Sequence, residues 1–123
     1  MQVLCGTDII EISRIKEAIE KEKINFIERV YTKKEIEYCE GKNKNKYQHY
    51  AARFAAKEAV FKALSQLLNN KYDLTWQNVE ILNNNDSKPI VRLINIRLDK
   101  IKNLDLSISH CKEYAIAMVT VVV

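Results

Sequence analysis

Gln48-His49-Tyr50-Ala51-Ala52-Arg53-Phe54-Ala55-Ala56-Lys57-Glu58-Ala59-Val60-Phe61-Lys62-Ala63-Leu64-Ser65-Gln66-Leu67-Leu68 holds neither Gly nor Pro. Ala, Leu, Lys and Glu are strong helix formers. The apolar positions Ala51, Ala52, Phe54, Ala55, Ala59, Phe61, Ala63, Leu64, Leu67 and Leu68 recur at intervals of three and four, the period of a helix with a buried stripe. One long central helix is predicted, ending at Asn69-Asn70. The rest of the chain sorts around it. Before it, Val3 to Ile10 reads as a strand with Gly6 inside. Ser13 is placed to cap a helix with Ile15, Ala18 and Ile19 inward and Arg14, Lys16, Glu17 and Lys21 outward. Thr32-Lys33-Lys34-Glu35 is a capping box for a short helix running to about Cys39, and Gly41 to Lys46 is a connector. After the central helix, Val79–Leu82 and Pro89–Ile94 flank the polar turn Asn83–Lys88 as one hairpin. Asn95 to Asn103 is helical or irregular. Leu106–His110 and Tyr114–Val123 form a second hairpin across Cys111-Lys112-Glu113. The β-branched last strand implies burial on both faces or at a subunit contact. The expected fold is α+β, an antiparallel sheet packed against one long central helix.

The 123 residues suit a single domain spanning 1–123, with a core large enough to need no disulfide or structural metal. Apolar residues make up 47% and charged ones 29%, with two Gly and one Pro, which excludes disordered and collagen-like classes. The apolar run Tyr114 to Val123 is far short of the roughly 20 residues of a membrane span. Met1 to Ile12 shows no basic n-region of a signal peptide. A cytoplasmic protein without a membrane partner is expected. Cys5, Cys39 and Cys111 have no CxxC spacing and read as small apolar fillers in a reducing compartment. Net charge is +4, and from Lys42 to Lys62 six bases face the single acid Glu58. That stretch suits phosphates or an acidic protein, or is a solvated helix face. Sparse aromatics near it and the lack of a groove-reading motif argue against nucleic acid.

Three residue sets bear chemistry. Glu58 and Lys62, four apart, share a helix face, and Arg53 and Lys57 form a neighbouring pair by the same rule. Together they offer a hard oxygen ligand for Mg²⁺ beside two or three cations for phosphate oxygens. The plainer alternative is a surface ion pair worth a few tenths of a kcal/mol. Asp8 is a lone acid in an apolar strand, so it needs a hydrogen bond, an ion pair or a metal; with Glu58 it suffices for Mg²⁺, whose remaining ligands are phosphates and waters. Ser107-Ile108-Ser109-His110-Cys111-Lys112 could hold an anion at a strand end, or be a satisfied surface turn. No Ser/His/acid or Cys/His catalytic set is indicated by spacing.

At these residues the chain resembles the holo-acyl-carrier-protein synthase group of 4′-phosphopantetheinyl transferases. Gly6-Thr7-Asp8-Ile9-Ile10 with Arg14, then Arg53-Phe54-Ala55-Ala56-Lys57-Glu58-Ala59, then Ser107-Ile108-Ser109-His110 leading to Tyr114-Ala115-Ile116-Ala117 match in the family's order, over essentially the whole chain. The resemblance implies the 4′-phosphopantetheinyl transferase fold and transfer of the phosphopantetheine arm of coenzyme A to a serine of apo acyl carrier protein. It implies Mg²⁺ on Asp8 and Glu58, Glu58 and Lys62 as catalytic residues, and coenzyme A on Arg53, Lys62, Lys88, Pro89, Ser109 and His110. It further implies carrier-protein docking on Arg14, Lys21 and Arg29 of the first two helices, and a homotrimer with sites at subunit interfaces.

The chain departs from that family pattern at Leu4, at Ser65-Gln66-Leu67-Leu68 and at Ser87, where glycines are usual. The segment after the central helix is therefore expected to be built differently, as extra helix. Its glycine departures leave a catalytically lapsed carrier-protein or nucleotide-binding module as the alternative.

Overall fold

The computed structural model describes the backbone of residues 1–123 and every side chain except that of Lys71. Strand β1 (Val3–Glu11) leads into helices α1 (Ile12–Glu22), α2 (Ile24–Val30), α3 (Lys33–Glu40) and the long α4 (Lys46–Leu64). Strands β2 (Val79–Asn83), β3 (Pro89–Leu93), β4 (Asn103–His110) and β5 (Tyr114–Val122) follow. The sheet order is β1-β5-β4, all antiparallel, and β2-β3 is a separate hairpin. The α+β reading and both hairpins stand, and residues 95–102 are irregular.

Helix α4 lies across the sheet and is covered on its other side by α3 and the β2–β3 hairpin. Ala55, Ala59 and Ala63 let it approach the strands, and Val60 and Leu64 fill the far side, so it is buried nearly all round. One core cluster joins Leu4, Ala59, Val79, Leu106 and Val119; a second joins Ile15, Ile19, Phe26, Tyr31 and Tyr50. The capping box at Thr32 forms as expected, with Glu35 N–H donating to the Thr32 hydroxyl and Thr32 N–H to the Glu35 carboxylate.

Three readings are corrected by tertiary context. Ser13 does not cap α1: the helix starts two residues earlier, from Glu11, with no side-chain cap, and the Ile12 N–H donates to Glu113 O at 2.8 Å across the fold. Of the two alternatives for the last strand, burial on both faces within the chain is ruled out: Ala115, Ala117, Val119 and Val121 meet α4, whereas Tyr114, Ile116 and Met118 are exposed. A strand alternates faces and α4 covers just one. Of the cysteines, only Cys39 is a buried filler. Cys5 and Cys111 are exposed, Cys5 because odd positions of β1 face away from α4.

The glycine departures are absorbed locally. Leu4 is a core residue, 4% exposed. Ser65–Leu67 continues the helix as one 3-10 turn, the extra helix expected there. Ser87 keeps a left-handed backbone, φ 63°, in the hairpin turn, at a cost a glycine would avoid.

Gly6 is the one glycine that packing demands. A Cβ there would overlap the Ala59 carbonyl oxygen and stand 2.8 Å from Ala63 N, both rigid helix backbone. Gly6→Ala is expected to destabilise the fold by about 3 kcal/mol, since backbone cannot move aside as a side chain does. Urea unfolding checks this; a loss under about 1 kcal/mol would mean the strand shifts freely.

Candidate active site

Even-numbered residues of β1 face α4, so the register that buries Leu4 and Gly6 also turns Asp8 toward the helix. Lys62 meets it there: its ammonium donates to Thr7 O at 2.9 Å and Asp8 Oδ1 at 3.1 Å. Glu58, one turn earlier on α4, is half-buried. Burial first, then the Asp8 charge, raise its affinity for a proton, with Lys62 opposing. Asp8, Glu58 and Lys62 thus converge on the β1 flank of α4. Lys62 takes its partner from the strand, not from Glu58 on its own helix.

The other flank is cationic. With about 100° of turn per residue, Arg53 projects from the side of α4 opposite Lys62, toward α3 and β4. Its guanidinium carbon sits 4.0 Å from the centroid of the Tyr38 ring. Arg53 is 4% exposed, yet its Nε has no acceptor, and no carboxylate pairs with it among the described residues. A buried cation without a counter-ion is costly, and an anion held there would remove the cost. His110, at the end of β4, reaches this flank through the ring of His49, 6.0 Å between centroids.

Other predicted residues lie elsewhere. Ser109 alternates to the outer face of the sheet, away from Arg53, beside a cavity of about 150 Å³ with Ile9 and Ile116. Lys88 bonds Asp105 at 2.7 Å and Pro89 opens β3. Asp105 is five residues along β4 from His110, about 17 Å. Arg14 and Lys21, two turns apart, share an exposed face of α1. Arg29 is also exposed, and pairs with Glu22 at 3.6 Å.

Lys57 is not a phosphate cation, which corrects the pairing with Arg53. It points away from the sheet and is fully buried, donating to Glu35 at 2.8 Å, Val79 O at 2.7 Å and Trp76 O at 2.9 Å. Glu35 in turn accepts from Thr32 N–H and Ile81 N–H, both at 2.8 Å. This network ties α3, α4 and the hairpin into the frame carrying both flanks. The reading of the sequence missed Glu35 in this role, and missed Tyr38 and His49; the one local signal was His49 standing four residues before Arg53.

A coupled carboxylate pair with an adjacent ammonium, and across the helix a buried guanidinium with no counter-ion, is the equipment of phosphate-handling proteins. Residues 4–119 match the family model described as the 4′-phosphopantetheinyl transferase superfamily, and the chain belongs to that superfamily. It is 46% identical over 122 residues, 95% of this chain and 90% of the relative, to the holo-[acyl-carrier-protein] synthase of Ruminiclostridium cellulolyticum. The crystal structure of Helicobacter pylori holo-[acyl-carrier-protein] synthase in complex with coenzyme A superposes with a TM-score of 0.83 at 35% identity, covering 97% of this chain and 100% of that one. That of a holo-(acyl-carrier-protein) synthase from Bacillus anthracis in complex with CoA (3′,5′-ADP) gives 0.79 at 34%, covering 96% and 94%.

Proposed function

We propose that this chain, acting as one unit over residues 1–123, transfers the 4′-phosphopantetheine arm of coenzyme A to a serine of apo acyl carrier protein. The products are holo-acyl carrier protein for fatty-acid synthesis and adenosine 3′,5′-bisphosphate. The convergence of Asp8, Glu58 and Lys62 carries this reading. The serine oxygen bonds the phosphorus that bears pantetheine, and the bridging P–O bond of the pyrophosphate breaks. Glu58, its proton affinity raised by burial and by Asp8, accepts the serine proton. Lys62 neutralises the phosphate leaving with the nucleotide. Phosphoryl transfer asks for such positioning and charge neutralisation more than for covalent help.

Among the described residues no three His, Cys, Asp or Glu side chains form an all-protein metal site. Mg²⁺ needs fewer: one or two carboxylates, with substrate phosphates and waters for the rest, so Asp8 and Glu58 fit it. When bound, Mg²⁺ supplies charge neutralisation on the pyrophosphate oxygens.

Arg53 and His110 would hold the nucleotide end of coenzyme A. They stand on the opposite flank of α4 from Asp8 and Glu58, which supports sites shared between copies. The exposed Val3, Ile9, Ile116 and Met118 on the outer sheet face offer the apolar surface for a homotrimer, with Ser109 on the same face. Free thiols at Cys5, Cys39 and Cys111 suit a cytoplasmic setting.

The test is intact mass of apo acyl carrier protein after incubation with this protein, coenzyme A and Mg²⁺. A gain of about 340 Da, lost with EDTA, is expected for a metal-assisted transfer. No gain with folded protein and several carrier proteins would select a lapsed binding module. For docking, Arg14→Glu is expected to weaken apo-carrier binding about tenfold at low salt, with coenzyme A affinity unchanged. Calorimetry with each ligand checks it; equal loss of both would remove the dedicated docking face.

A further inference from the structure

The Tyr38 ring of α3 gathers the nitrogen groups of the cationic flank. Besides Arg53 at 4.0 Å, Lys42 Nζ lies 4.7 Å from its centroid. The His49 ring meets it edge-on at 5.4 Å, and His110 meets His49 at 6.0 Å. Helix α4, the turn after α3 and the end of β4 thus deliver Arg53, His49, Lys42 and His110 to one place. None of the four makes an ion pair among the described residues. The nearby acid Glu40 is already engaged by the Tyr50 hydroxyl at 2.6 Å and by Lys46 at 3.4 Å.

We propose that His49 is a specificity-determining residue of this site, distinguishing a ligand that ends in a phosphomonoester from the same ligand ending in a hydroxyl. The inference rests on the reading of coenzyme A as substrate, whose nucleotide carries one such group, the 3′-phosphate. Lys42 and Arg53 are basic side chains that attract any anion. An imidazole adds a proton that is present only when an anion calls for it.

In the free protein, burial first and then Arg53, Lys42 and His110 push the proton affinity of His49 down, to a pKa of about 4. The facing groups are Tyr38 and Lys42 from the α3 side, Arg53 on its own helix and His110 from β4; among the described residues no carboxylate acts on it. Three of these disfavour the imidazolium by charge, and a bound dianion neutralises that charge. Binding a phosphomonoester therefore draws a proton onto His49, which then donates a charge-assisted hydrogen bond. A hydroxyl in its place neutralises nothing, and His49 stays neutral.

The experiment is titration calorimetry of the full chain with coenzyme A and with 3′-dephospho-coenzyme A, at about pH 6.5 and about pH 8, in buffers of differing ionisation heat. Wild type is compared with His49→Phe, which keeps the ring contact with Tyr38, and with His49→Gln, which keeps polarity without a titratable proton. The preference of wild type for coenzyme A is expected to be about tenfold greater than that of His49→Phe at the lower pH, the worth of one charge-assisted hydrogen bond. Proton uptake on binding coenzyme A should fall in both variants. Uptake by the phosphate itself is common to all three proteins and cancels. If His49→Phe does not fold, His49→Gln carries the test through its lost proton uptake. Equal preference and equal proton uptake in wild type and the folded variants would overturn the role of His49 and leave the coenzyme A reading intact. Absence of coenzyme A binding by wild type would overturn both.

Discussion

Glu58→Gln is expected to lower transfer to the carrier protein by about a thousandfold or more, with the fold intact. Gln keeps the shape but neither accepts the serine proton nor offers a metal the charge of a carboxylate. Asp8→Asn is expected to act similarly, because Asp8 is the other proposed hard ligand and the anchor of Lys62 at 3.1 Å. Initial rates by intact mass in saturating Mg²⁺ check both. A near-native rate in either would remove that residue from the metal assignment. A second readout separates chemistry from structure. The folded state binds the Glu58 proton more tightly than the unfolded chain does, because of burial and Asp8. Stability is thus surrendered as pH rises from the ordinary carboxylate range through the raised one. Gln is a permanent stand-in for the protonated form, so the variant should melt at or above wild type at neutral pH. A strained acid kept at the expense of stability is the expected mark of a working site.

Lys57→Met is expected to cost about 3–5 kcal/mol, the range for breaking a buried ion pair by removing one partner. The ammonium satisfies Glu35 and the carbonyls of Trp76 and Val79 at once. Without it Glu35 is a buried charge held only by the Thr32 and Ile81 N–H groups. Lys57→Met with Glu35→Gln should recover part of the loss, because no net charge remains, although the amide oxygen can accept from only one of the two backbone N–H groups. Urea unfolding of the single and double variants gives the coupling. A single-variant loss under about 1 kcal/mol would show that the pair is not what holds α3 and the hairpin to α4.

Most of the framework was legible because its signals are local. An alanine-rich run without Gly or Pro makes a helix wherever it lies. Thr32 with Glu35 caps its own turn, and two short β-branched runs across a polar turn pair with each other. Where local cues failed, a distant group had taken the role. Ser13 lost the cap because Glu113, about a hundred residues on, supplied the acceptor for the Ile12 amide. The last strand lost one face of burial because only one helix covers the sheet.

The site divides in the same way. By itself the sequence determined which residue types were present and which shared a helix turn or a strand face: Glu58 with Lys62, Arg14 with Lys21, Asp8 with Gly6. Tertiary structure alone decided their partners. Helical spacing left Lys57 and Lys62 equivalent as cations, yet one is enclosed with Glu35 and the other is open beside Asp8. It also left Arg53 as one base among six; only the packing of Tyr38, His49 and His110 shows it to be a buried cation, without a counter-ion among the described residues. The physical reason is that charge and hydrogen-bond energies depend on burial and on atoms a few ångströms away. In this chain those atoms come from residues far off along the sequence: Lys62 meets Asp8 across 54 positions and Thr7 O across 55.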